Sequence, residues 1–159
     1  MRNEELARAV HLREEGQGEE ARRLLVDLAR RHPDDAETSY QAAWAHDALG
    51  LEAEAVPYYE RALAGEGLSE ADRLGAFTGY GSTLRVLGRH AEALETFERG
   101  LKEFPGDGAL RTFSAMALHN AGRCTEAVTT LLKVVAESDQ AGGYDRAIAY
   151  YADHLDERV

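Results

Sequence analysis

A chain of 159 residues, 44% hydrophobic and 30% charged with three prolines, has room for one domain with a real core and the composition of a soluble globular protein rather than a disordered one. Its net charge of −11 lacks the cationic excess that displaces counterions from a polyanion, which excludes nucleic acid as a direct ligand. The lone cysteine, Cys124, excludes an intramolecular disulfide and a thiolate metal site, and the N-terminal MRNEELARAVHLREEGQGEEARRLL holds no apolar run fit for a signal segment or a membrane span, so the chain reads as cytoplasmic with no membrane partner.

Four similar phrases then follow in chain order: GQGEEARRLL from Gly16, GLEAEAVPYY from Gly50, GRHAEALETF from Gly88 and GRCTEAVTTL from Gly122. Each contains G-x-x-x-E-A, and the glycines stand 34, 38 and 34 residues apart, a period that signals a solenoid of stacked supersecondary units. One helix precedes each glycine and another follows it. Tyr40, Ala43, Trp44 and Ala48 recur at helical spacing ahead of Gly50, Leu94, Phe97, Leu101 and Phe104 behind Gly88, and Leu110, Phe113, Ala117 and Leu118 ahead of Gly122. The glycines suit a helix C′ position, where left-handed backbone strains a residue with a Cβ. Asp35, Ser69 with Asp72, and Asp107 signal helix starts, and Pro33 and Pro105 close the first and third units. Pro57, inside the second helix of unit two, predicts a kink or a loosened turn.

Charge is uneven along these units. Residues 36–74 carry eight acids against Arg61 and Arg73, a balance of −6, whereas 75–107 balance at −1, so a basic partner meets the second quarter first. Sixteen of the 18 basic residues are Arg, a bias associated with high-GC bacterial genomes.

With small residues at Ala9, Ala43, Gly81 and Ala115, again at Ala21, Ala55, Ala93 and Ala127, and bulky ones at Leu25, Tyr59, Phe97 and Leu131, the chain closely resembles the tetratricopeptide repeat. The resemblance spans the whole chain and implies an all-α fold: a right-handed α-solenoid of four helix-turn-helix units, 2–35, 36–69, 74–107 and 108–141, with Glu70 to Arg73 inserted and a capping helix over 142–159. Departures from the family pattern are Glu5 and Arg8 in the first helix, His46 at a tyrosine position and Asp139 in place of a proline. His46 is expected to be a hydrogen-bonded structural histidine, with a ligand role as the lesser reading.

The resemblance further implies that the first helices line a concave groove holding a peptide or helix of another protein. Groove positions map onto Leu6, Val10 and Arg13; Tyr40, Gln41, Trp44 and Asp47; Thr78, Gly79, Ser82 and Arg85; Phe113, Met116, His119 and Asn120; and, from the capping helix, Arg146 and Tyr150. The expected ligand is a segment with apolar anchors for Trp44 and Phe113 and an acidic group for Arg85. The subclass that binds a chaperone's C-terminal carboxylate through Lys and Asn is excluded by Leu6 and Val10 in unit one. Two alternatives stay open: Trp44 either reads the partner or packs between helices, and Gly75 with Gly79 admits either a partner's backbone or a closely crossing neighbouring helix.

Catalytic signals are thin. GYGSTL from Gly79 lacks the third glycine of a dinucleotide loop and sits in a helical segment, Cys124 has no implied base beside it, and His11 with Glu14 and Glu15 is one turn of mixed charge. No catalysis, cofactor or metal is expected. A second functional reading is homodimeric self-assembly through the concave face or the C-terminal helix, whose Tyr144, Ile148, Tyr151 and Leu155 fall at helical spacing and are more apolar than a solvent-facing cap requires.

Overall fold

A computed structural model describes residues 1–157, and among them it contains nine α-helices and no strand. The helices pair as α1 (Arg2–Glu14) with α2 (Gly18–Arg31), α3 (Ala36–Asp47) with α4 (Glu52–Ala64), α5 (Glu70–Val86) with α6 (His90–Glu103), and α7 (Gly108–Asn120) with α8 (Cys124–Ala136). A single 3₁₀ turn, Asp139–Ala141, leads to α9 (Asp145–Ala152). Each helix packs on its neighbours in sequence, and α1 also packs on α3, α3 on α5 and α5 on α7, which makes the molecule an all-α solenoid.

The repeated phrase is explained atom by atom. Gly16, Gly50, Gly88 and Gly122 have φ of 81°, 71°, 76° and 78°, values a Cβ makes costly. At each, two bonds close the preceding helix: Gly88 N–H donates to the Arg85 carbonyl at 3.0 Å and Arg89 N–H to the Leu84 carbonyl at 2.9 Å, and the other three glycines repeat the pattern. The Arg and Glu shared by the third and fourth phrases form a clip on the first turn of the next helix. Arg89 grips Glu92 with two bonds of 2.8 and 2.6 Å, and Arg123 grips Glu126 at 2.7 and 2.6 Å, holding both carboxyls below the usual range.

Helix starts fall where the side chains predict. Asp35 accepts from the Glu37 and Thr38 N–H groups, Asp107 from Leu110 N–H at 2.7 Å, and Ser69 from Asp72 N–H at 3.1 Å. Because Ser69 caps α5, the inserted Glu70 to Arg73 form one extra helical turn, four residues ahead of the start at 74 that the repeat implies, and Arg73 ties that turn to Glu103 of α6. The helix α4 runs unbroken through Pro57. The ring is exposed, and the carbonyl it deprives of a helical donor belongs to Ala53, which is itself open to solvent.

Packing follows a small-against-large rule. Ala9, Ala43, Ala115, Ala21, Ala55 and Ala93 are fully buried or nearly so, and a Cβ built on Gly81 would stand 2.5 Å from the Phe97 ring. The main core runs through units two to four as Tyr40, Val56, Tyr59, Leu63, Phe77, Tyr80, Leu84, Phe97 and Leu110, and a second cluster of Leu6, Leu25 and Leu28 joins units one and two. His46 is buried, with Nδ1 2.7 Å from the Ala42 carbonyl, which requires the proton on Nδ1, and its ring stacks on Tyr58 at 5.0 Å. Its role is structural.

Asp47, at the end of α3, joins three helices. It accepts from Tyr59 Oη of α4 at 2.6 Å and from Thr83 Oγ1 of α5 at 2.8 Å. Burial pushes its carboxyl above the ordinary value although both hydroxyls oppose that shift.

Of the capping helix expected over 142–159, the helical part is α9, Asp145–Ala152, and residues 158–159 lie outside those described. The helix packs on α8 through Thr129 Oγ1, which donates to the Ala152 carbonyl at 2.7 Å, and through Lys133 and Asp153 at 2.8 Å, while Leu132 shares a cavity of about 410 Å³ with Tyr144, Ile148 and Tyr151. At the same register Pro57, Glu60, Glu95 and Glu98 are exposed on α4 and α6, so α9 covers an outer face that the other second helices give to water. The connection explains the departure. Four residues, His32 to Asp35 or Phe104 to Asp107, lead into α3 and α7, whereas eight, with left-handed Gly142 and Gly143 and no proline, lead into α9.

Gly81→Ala is expected to lower stability by about 1–2 kcal/mol, because overpacking against Phe97 exceeds the gain of about 1 kcal/mol in helix propensity; urea unfolding measures it. Asp47→Asn is expected to gain stability relative to the wild type as pH rises from about 3 to about 6, since a carboxyl whose folded pKa is raised contributes stability only while protonated. A difference in urea midpoint that stays level across that range would contradict the raised carboxyl.

Candidate partner-binding groove

Side by side, α3, α5 and α7 wall a cavity of about 610 Å³. Tyr40, Trp44 and Asp47 come from α3, Ala71, Leu74, Gly75, Thr78, Gly79 and Ser82 from α5, Ala109 and Phe113 from α7, and Tyr59 of α4 reaches in from behind. Seven of the residues expected in the groove thus meet here: Tyr40, Trp44, Asp47, Thr78, Gly79, Ser82 and Phe113. Three of the others, Leu6, Val10 and Gln41, line a second cavity of about 450 Å³ between α1 and α3.

Trp44 stands between these hollows. It is 44% exposed, so it is not a core residue. The Arg13 guanidinium lies 3.7 Å from its ring centroid, a cation–π contact worth roughly 0.5–2 kcal/mol, and donates through Nη1 to Gln41 Oε1. Tyr40 adds a second aromatic side chain, its ring centroid 6.0 Å away. Burial holds Arg13 below its ordinary pKa, and among the described residues no carboxylate ion-pairs with it, whereas Arg2, Arg31, Arg73, Arg89, Arg111 and Arg123 each hold an acid. Arg13 therefore keeps donors for an acidic ligand.

The glycines of α5 make room for the molecule's own rings. A Cβ on Gly75 would lie 2.2 Å from Tyr40 Oη, and one on Gly79 would lie 2.3 Å from Tyr59 Oη, which decides for a close helix neighbour over a partner's backbone. Burial and the neighbouring Asp47 carboxylate drive the Tyr59 phenol far above its ordinary pKa, and burial with a hydrogen bond to Glu60 pushes Tyr80 up to about 12. Both remain donors at neutral pH. Tyr59, like Ala71, Leu74 and Ala109, is a wall residue that the repeat pattern did not supply, since its register belongs to the core; the empty side-chain position at Gly79 was the available signal.

The remaining candidates lie elsewhere. Arg85, Met116, His119 and Asn120 surround a separate cavity of about 340 Å³ at the end of unit four, shared with Cys124, Val128 and Leu131, and Arg85 Nη1 donates to Asn120 Oδ1 at 3.3 Å. There Cys124 has a base beside it after all: His119 Nδ1 is 3.7 Å from Sγ. Arg146 and Tyr150 ride on α9, outside α8, where Tyr150 stacks on His154 at 4.2 Å and donates to Glu157. Among the described residues no group of three or more His, Cys, Asp or Glu side chains is placed to hold a metal, and no helix is long and apolar enough to cross a membrane.

Solved structures share this architecture. A crystal structure of MamA superposes with a TM-score of 0.76 at 20% identity over 90% of this chain and 76% of that one. A MamA fragment from Desulfovibrio magneticus RS-1 gives 0.68 at 18% identity over 99% and 97%. YrrB, described as a TPR protein with an unusual peptide-binding site, gives 0.73 at 21% identity over 97% and 78%. No curated protein sequence matches the chain significantly. At such identities the likeness is one of fold. The family model for the tetratrico peptide repeat matches residues 36–155, three of the four units and α9, and the chain belongs to that family.

Proposed function

We propose that this protein is a cytoplasmic, non-catalytic adaptor whose concave face binds a peptide or helix of a partner protein across the first helices of units one to four. The observation that carries this reading is Trp44, exposed at the mouth of the cavity walled by three first helices and stacked beneath an Arg13 that holds no acid. Large aromatic rings and arginines are the residue types that dominate binding energy at interfaces. The fold shared with YrrB, a protein described by its peptide-binding site, supports the same direction.

The ligand class follows from the walls. Apolar side chains seat between Trp44 and Phe113, over the small residues Gly75, Gly79 and Ser82 of α5. An acidic side chain of the ligand pairs with Arg13 rather than with Arg85, which lines the separate cavity at the end of unit four. Asp47, at the cavity wall, already spends both carboxylate oxygens on Tyr59 and Thr83 and repels such a ligand less than a free carboxylate would.

Trp44 is the only tryptophan, so its emission reports occupancy directly. A peptide selected from a random library on the wild-type protein is expected to shift that emission on titration and to lose about 1–3 kcal/mol of affinity against Trp44→Ala, read by calorimetry. Arg13→Gln is expected to weaken the acidic members of the selected set and to flatten their salt dependence. Equal affinity for wild type and Trp44→Ala would remove the tryptophan from the site.

A further inference from the structure

We infer that the open end of unit four is a pairing surface for a second copy of this chain. In each earlier unit the bulky residue of the second helix is buried in a core shared with the next unit: Leu25 is 0% exposed, Tyr59 2% and Phe97 0%. Leu131, at the same register, is 39% exposed, and Val128, Val135 and Met116 are exposed beside it. Leu131, Val128, Met116 and Ala127 wall the cavity of about 340 Å³ at this end. The surface therefore continues the interfaces that hold the solenoid together, lacking only its covering element. Helix α9 does not supply one, because Thr129 and Lys133 hold it on another face of α8.

The other end of the molecule decides what the covering element is. Thr38, Ala76 and Leu110, then Ala42, Tyr80 and Ser114, then Ala45, Thr83 and Ala117 are the buried positions by which α3, α5 and α7 seat on the unit before them. On α1 the same registers hold Glu4, Arg8 and His11, all exposed. Stacking copies head to tail would bury those charged and polar groups against Leu131 and Val128 with no partner. An apolar end matches only another apolar end, and two identical ends meet about a two-fold axis, which closes the assembly at a dimer and forbids a filament. Charge permits the approach: a chain of net −11 presents here only Arg85 and His119 as ionisable borders apart from the thiol, and no acid. This places self-assembly on the face between α7 and α8 and away from the stripe of α9.

The test is the mass in solution of the full chain, by light scattering after size exclusion, from micromolar to near-millimolar concentration. The wild type is expected to reach twice 17.5 kDa, to associate more tightly in high salt, and to lose pairing by at least about 100-fold in Leu131→Glu and in Val128→Glu, since each buries a carboxylate on both sides of the axis. Both positions are solvent-accessible in the monomer, so circular dichroism should stay unchanged. Cys124, the single thiol, borders the patch, and its reaction with a thiol reagent should slow as wild-type concentration rises. Trp44→Ala should leave the mass unaltered, which separates this result from the fate of the groove. A monomer at every concentration, a dimer retained in both glutamate variants, or a Cys124 rate independent of concentration would overturn the pairing.

Discussion

The distance at which two antiparallel helices can pack governs everything else in this molecule. Ala9 with Ala21, Ala43 with Ala55, Gly81 with Ala93 and Ala115 with Ala127 bring the two helices of each unit together at positions where a larger side chain has no room. That closeness sets the bulky residue one turn further on, Leu25, Tyr59 or Phe97, into a core shared with the next unit. Stacking is a by-product of close pairing. The groove is a by-product of stacking, because first helices held in register by that shared core form a wall that no single unit could build.

Polar chemistry then specialises this frame. Most arginines of the chain are engaged by glutamates or aspartates at the surface, where each pair contributes little to stability but removes a cation from general availability. Arg13 escapes because its neighbours are an indole ring and an amide. Asp47 is engaged in the opposite sense: two hydroxyls and a buried setting tie it to α4 and α5. An acidic protein thereby presents a cationic and aromatic spot inside its own concavity.

What could be read from the residues was what depends on near neighbours. The four glycine turns, the caps at Asp35, Ser69 and Asp107, and the small and bulky registers involve groups within one turn of each other, so local chemistry defines them. The groove divided less cleanly. Arg13, Asp47, Arg85 and His119 share one register, as do Val10, Trp44, Ser82 and Met116, yet the first three units carry a following helix and the fourth does not. Periodicity assigns equal places to residues whose surroundings differ by an entire element. The stance of α9 was hidden for a related reason: it is set by the length and glycine content of a connection, which the repeat pattern does not encode.

The extra turn of α5 shows how such a frame accommodates change. Its four residues lie ahead of every buried position of that helix, from Ala76 to Leu84, so the phase of the core is the same with or without them. Ala71, within the added turn, and Leu74, just beyond it, stand on the cavity wall. Length added at a free helix start deepens one side of the groove by about 6 Å, at 1.5 Å per residue, and leaves the rotation of each side chain about the helix axis untouched. A solenoid of this kind can therefore alter the depth of its binding face, unit by unit, as a variable independent of its packing.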